Sequence, residues 1–219
     1  MQQIVPTGEF GESGYLYERD FNSEPLTVNV GDGDIALGWS WLADIDAGRR
    51  GAGSESALLG GLTLQNNTNM TQTVSLLTSV PLSTFYNPSS LIGGSASGTL
   101  TTDGDGGTMS NVNGSEPMYR ALIDGAFVGG IADLFPFDSS ISVVGFGSNS
   151  TGFQDFGQPI PSGNGPAANS SIGILLQFDI TPGDIVGWTS NFVIDEIPTP
   201  GAAMLLAMAG LVSSHRRRR

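Results

Sequence analysis

Residues 171–196 read SIGILLQFDI, then TPGD, then IVGWTSNFVIDE, and their periodicity decides the fold class. Ile172, Ile174, Leu176, Phe178 and Ile180 occupy alternate positions, with Gly173, Leu175, Gln177 and Asp179 between them. In an extended chain successive side chains point to opposite faces, so this alternation predicts a half-buried strand. Thr181-Pro182-Gly183-Asp184 then supplies turn chemistry. Beyond it Val186, Trp188, Phe192 and Ile194 fall again on one face. Two alternating runs across a short turn predict a β-hairpin.

The same pattern recurs toward the N-terminus. Leu58–Gln65 and Gln72–Val80 flank the polar run 66–71 and predict a second hairpin. Ile35, Leu37, Trp39 and Trp41 alternate, as do Ile141 and Val143, and shorter strands are expected at Leu26–Val30, Leu91–Thr101 and Tyr119–Asp124. The chain has 32 glycines and only 13% charged residues, with Ser, Thr and Asn filling much of the rest. That mixture disfavours helices and favours short strands joined by tight turns. No sustained helical period precedes residue 201, and no internal repeat is visible. About nine or ten strands, with turn signals every ten or so residues, predict an all-β antiparallel β-sandwich, jelly-roll-like in its winding. Residues 1–196 form this one body and residues 197–219 a separate tail, in which a short hydrophobic helix is expected.

Charge narrows the possible partners. The net charge is −13, and all eight basic residues are arginine. Only Arg19, Arg49, Arg50 and Arg120 lie outside the tail, so without the tail arginines the charge falls to −17. Such a surface repels nucleic acid, which excludes DNA or RNA as a partner class, and attracts divalent cations. With no cysteine there is neither a disulfide framework nor a thiolate metal site. The single histidine, His215, sits in the tail, which removes Ser-His-Asp catalysis and imidazole-ligated metals.

Carboxylates remain as candidate chemistry. Asp32 and Asp34 lie in Gly-Asp-Gly-Asp, Asp44 and Asp46 in Ala-Asp-Ile-Asp, and Asp103 and Asp105 in Asp-Gly-Asp-Gly-Gly. Asp-x-Asp spacing in a glycine-rich loop aims two carboxylates and a carbonyl at one point, as calcium prefers. Asp103 with Asp105, and Asp32 with Asp34, are therefore candidate calcium ligands; an ordinary acidic turn is the alternative. The Asp103 loop lacks the third aspartate and distal glutamate of an EF-hand. A glycoside hydrolase would need two facing acids. Glu116 and Glu55 are the nominees, and nothing in the sequence sets either opposite another acid. Trp39, Trp41 and Trp188 fall on apolar faces, which points to core packing rather than a sugar-stacking row. The expectation is a protein that is not an enzyme.

The tail carries an address. Pro198, Thr199 and Pro200 are followed by Gly201, Ala202, Ala203, Met204, Leu205, Leu206, Ala207, Met208, Ala209, Gly210, Leu211 and Val212, without a polar side chain. Ser213, Ser214 and His215 then lead into Arg216, Arg217, Arg218 and Arg219. A helix over 201–212 has no wet face and would span about 18 Å, short of the ~30 Å hydrocarbon core, which suits a transient anchor. The arginines would hold its end on the cytoplasmic side. In this order the three features resemble the PEP-CTERM sorting signal of Gram-negative-type bacteria, with Thr199 where that family usually has glutamate. The resemblance implies recognition by an exosortase-type membrane protease. It also implies contact with membrane lipid through the tail, tethering at the inner membrane during sorting, and delivery to the cell surface or extracellular matrix.

Met1 is followed by Gln2-Gln3-Ile4-Val5-Pro6, with neither a basic n-region nor an apolar h-region. An export tail without a signal peptide predicts that coding sequence precedes Met1. Two classes of function follow. One is a non-enzymatic surface or matrix protein, with extracellular polysaccharide as a partner. The other is a carbohydrate- or calcium-binding module of lectin type.

Overall fold

The computed structural model describes residues 15–17, 26–31, 35–44, 55–82, 84–129, 132–136 and 139–197, with backbone alone before residue 55. The strands among these residues are β1 (Tyr15–Tyr17), β2 (Leu26–Gly31), β3 (Ile35–Asp44), β4 (Glu55–Asn66), β5 (Gln72–Pro81), β6 (Tyr86–Thr102), β7 (Gly107–Ser110), β8 (Tyr119–Ile123), β9 (Ala126–Phe127), β10 (Asp133–Leu134), β11 (Ser140–Val143), β12 (Gly147–Phe156), β13 (Gly163–Ala168), β14 (Ser171–Ile180) and β15 (Ile185–Glu196). One 3-10 turn spans Val112–Gly114. The all-β expectation holds, and the pairings are antiparallel apart from β1 with β5.

The strands form two sheets. In the first, the order is β1-β5-β14-β7-β11, with β8 also on β14 and with β9 and β10 on β8. The second runs β12-β6-β15-β4-β3-β2, with β13 also on β6. The 17-residue β6 serves both β12 and β13 along one side, and β15 along the other.

Neither predicted hairpin exists. The two alternating runs of 171–196 are the interior strands of different sheets: β14 pairs with β5, β7 and β8, and β15 with β4 and β6. Likewise β4 lies in the second sheet and β5 in the first. Each intervening turn is an arch that crosses from sheet to sheet. Alternation cannot separate the two cases, because it says only that one face of each strand is buried. The turn residue can. Gly183 has φ +78° after Pro182, the value that the third residue of a type II turn requires. Type II turns splay hairpin strands apart rather than matching their twist.

The buried faces meet in one core. Ile172, Ile174, Phe178 and Ile180 of β14 are fully buried, as are Val186, Phe192 and Ile194 of β15. Trp188 packs across the sheets, 5.9 Å from the Phe178 ring and 5.4 Å from Phe135. Gly98 on β6 makes room for it, since a Cβ there would lie 2.9 Å from the indole. Tyr119 of β8 reaches the other sheet and donates its hydroxyl to the Asn191 carbonyl at 2.8 Å. Burial pushes that phenol well above its ordinary range, so it stays a donor. Trp188 is a core residue, as its alternation implied. Trp39 and Trp41 lie on β3, opposite Leu62 and Gly60 of β4.

The strand count exceeds the expected nine or ten. β12 and β13 escape periodicity because β12 is rich in Gly, Ser and other polar residues and β13 in Gly, Pro and Ala, with few large apolar side chains to set a pattern. The expected tail helix, residues 201–212, lies outside the described residues. Among the described residues no helix is long and apolar enough to cross a membrane.

Candidate functional site

Four turns meet at one end of the two sheets: the 67–71 arch, the Asp103–Gly106 turn, the Val144–Phe146 turn and the Thr181–Asp184 arch. Asn66 is the knot between the two arches. It is fully buried, and its Nδ2 donates to the carbonyls of Met70 at 2.9 Å and Ile180 at 3.0 Å. Its Oδ1 accepts the N–H of Thr68 at 3.0 Å and the Thr68 hydroxyl at 2.7 Å. Its own N–H donates to the Asp184 carbonyl at 3.0 Å, and its carbonyl accepts Gly183 N–H at 2.7 Å.

The Asp103–Gly106 turn docks on the second arch. Asp103 Oδ1 accepts the N–H of Asp105 at 3.0 Å, which fixes the turn, and Gly106 closes it at φ +79°. Thr108, just beyond, donates its N–H to Thr181 Oγ1 at 2.6 Å and accepts Thr181 N–H at 3.2 Å. The Thr181 hydroxyl also makes a short hydrogen bond to Asp184 Oδ2. Thr102 Oγ1 donates to Gly145 O at 2.6 Å, which brings in the 144–146 turn, and the Phe146 ring lies beside Gly104.

Asp184 is 0% exposed, and its Oδ1 has no hydrogen-bond partner. Burial raises its carboxyl above the ordinary carboxylate range. Hydrogen bonds from the Thr181 hydroxyl and Asp103 N–H oppose that rise, while the Asp103 carboxylate adds to it. The two acids are neighbours because glycines let them approach. A Cβ on Gly183 would overlap Asp103 Oδ2, and one on Gly107 would overlap Asp184 Oδ2.

The sequence-predicted residues divide as follows. The structure brings Asp103 together with Asp184, which sequence reasoning took only as a turn residue, while Asp105 stands exposed on the same turn. The available signal was an acid directly after Pro182-Gly183, just ahead of a strand whose even-numbered positions face the core. Asp32, Asp34 and Asp46 lie outside the described residues, and Asp44 ends β3. Pro198–Pro200, Gly201–Val212 and Arg216–Arg219 also lie outside them. Glu116 is ion-paired with Arg120 at 2.8 Å, and Glu55 opens β4. Among the described residues, no group of three or more acidic or histidine side chains gathers to hold a metal.

No family model and no curated protein matches the chain. Among solved structures one neighbour is titled "Structure of infectious bursal disease virus Gx strain", at 12% identity and a TM-score of 0.15, covering 90% of this chain and 53% of that chain. The chain spans about half the length of that neighbour, and a likeness this small carries no argument.

Proposed function

We propose that this is a non-enzymatic exported protein of the cell surface or extracellular matrix, a jelly-roll-like all-β body carried there by a PEP-CTERM-type sorting tail. The observation that carries the reading is the order of Pro198-Thr199-Pro200, the apolar run Gly201–Val212 and the block Arg216–Arg219. Proline at both ends holds the motif extended and removes backbone donors, as a strand presented to a protease needs. The apolar run partitions into lipid and the arginines set its orientation. In this reading an exosortase-type membrane protease is the processing partner and extracellular polysaccharide the surrounding material. Alternation of successive strands between the sheets, from β4 through β7, supports the jelly-roll-like winding. The body suits such a setting because its stability comes from a packed core and hydrogen-bonded turns, without disulfides.

The test replaces Arg216–Arg219 with glutamine in the producing cell and follows the protein by fractionation and mass. Surface retention or tail processing is expected to be lost. Unchanged distribution and mass would overturn the proposal.

A further inference from the structure

We infer that the arch end of the molecule binds a hard divalent cation, calcium before magnesium, between the carboxylates of Asp103 and Asp184. The site comes from folding rather than from local spacing, since its two acids are some eighty positions apart and sit on different turns. Asp184 is the decisive residue. It is wholly buried, one carboxylate oxygen is unpartnered, and its neighbour is another acid. A buried carboxylate with no counter-charge is costly, so it must be met by a proton or a cation. Arg120 is the sole basic side chain among those described, and it is engaged by Glu116 and Asp133. Among the described residues, therefore, no basic side chain serves Asp184.

Calcium fits the donor set. It takes six to eight oxygens, tolerates irregular geometry and accepts carboxylates in one- or two-oxygen modes. Asp103 and Asp184 offer carboxylate oxygens, the Thr181 hydroxyl already touches Asp184, and carbonyls and water can complete the shell. Magnesium demands a stricter octahedron and gives up its water reluctantly, so it should bind more weakly. Gly107 and Gly183 are part of the design, because any side chain at either would displace an acid. The site owes nothing to the tail, and its failure would leave the sorting proposal standing.

The experiment is thermal unfolding of the purified full chain in EGTA, in 10 mM calcium chloride and in 10 mM magnesium chloride. For a millimolar site in a domain this size, calcium should raise Tm by about 3–5 °C over EGTA, and magnesium by less. Asp184→Asn should abolish the calcium rise while melting in EGTA no lower than the parent. Asp103→Asn, at a half-buried position, should abolish it too, which keeps the test decisive if Asp184→Asn does not fold. Asp105→Asn should retain it. No calcium rise in the parent, or an equal rise in the Asp103 and Asp184 variants, would overturn the inference.

Discussion

Asn66 shows how much a single residue can hold. Its side chain donates twice and accepts twice, and its backbone bonds the other arch, all without exposure to water. Asn66→Ala would leave the Ile180 carbonyl without its side-chain donor, and a buried group deprived of its partner costs about 1–3 kcal/mol. With the lost packing of both arches, urea unfolding should show a loss of about 2–4 kcal/mol. The carboxyl of Asp124 is shifted in the opposite direction from that of Asp184. Partial burial pulls its carboxyl upward, but N–H groups of Ser170, Ser171 and Asn169 and the Ser170 hydroxyl outweigh that and hold its pKa at about 2. Its contribution is therefore full above the ordinary carboxylate value of about 4 and is lost as pH falls through about 2. Solvent screening limits it to about 1 kcal/mol, and Asp124→Asn should remove that much of the decline in stability between those pH values. For Asp184 the sign reverses. Its raised value means the folded chain holds the proton longer, so without a cation stability falls as pH rises through that value. Acid titration of Asp184→Asn in EGTA should lack that fall.

At the level of elements, turns decided what strands could not. Asp124-Gly125, with φ +53° and +76°, joins β8 to β9 in a true two-residue hairpin, as positive φ at both central residues favours. Pro182-Gly183 sends β15 into the other sheet. The inward set of β14 and the buried Trp188 were legible because apolar alternation reports burial directly, and β2, β3, β8 and β11 were legible as strands. Partnership between strands was not, since an arch and a hairpin bury the same faces. Nor were β12 and β13 legible; their sequences carry no apolar period, and β6 holds them through backbone bonds. The Asp103–Asp184 pair was half visible, as an acidic loop whose true partner lies on another turn. A glycine comparison tests the arch. Gly152 and Gly183 share a positive φ, +77° and +78°, but a Cβ at Gly152 meets nothing within 4 Å whereas one at Gly183 meets Asp103. Gly152→Ala should cost only the left-handed backbone term, about 1–2 kcal/mol. Gly183→Ala should cost distinctly more by urea unfolding, and should also weaken the calcium response.

For the whole molecule, the arches make two sheets behave as one cooperative unit. In a hairpin-built sandwich, each sheet could open with its own paired strands. Here β14 and β15 are interior strands of opposite sheets, joined by a four-residue link whose N–H and C=O groups bond Asn66 at the neighbouring arch. Pulling either sheet away must break the link's hydrogen bonds to Asn66, separate Phe178 from Trp188 and withdraw Tyr119 from Asn191. Native-state hydrogen exchange should therefore find the slowest amides in β14 and β15 with one common opening free energy, equal to that of global unfolding. β12, paired only to β6 and exposed along most of its length, should exchange through smaller openings. Trp188→Ala should cost about 3–5 kcal/mol and lower the protection of β14 and β15 equally, because the indole it removes touches both sheets. If β14 kept its protection while β15 lost it, the sheets would be separate folding units and the arches mere connectors.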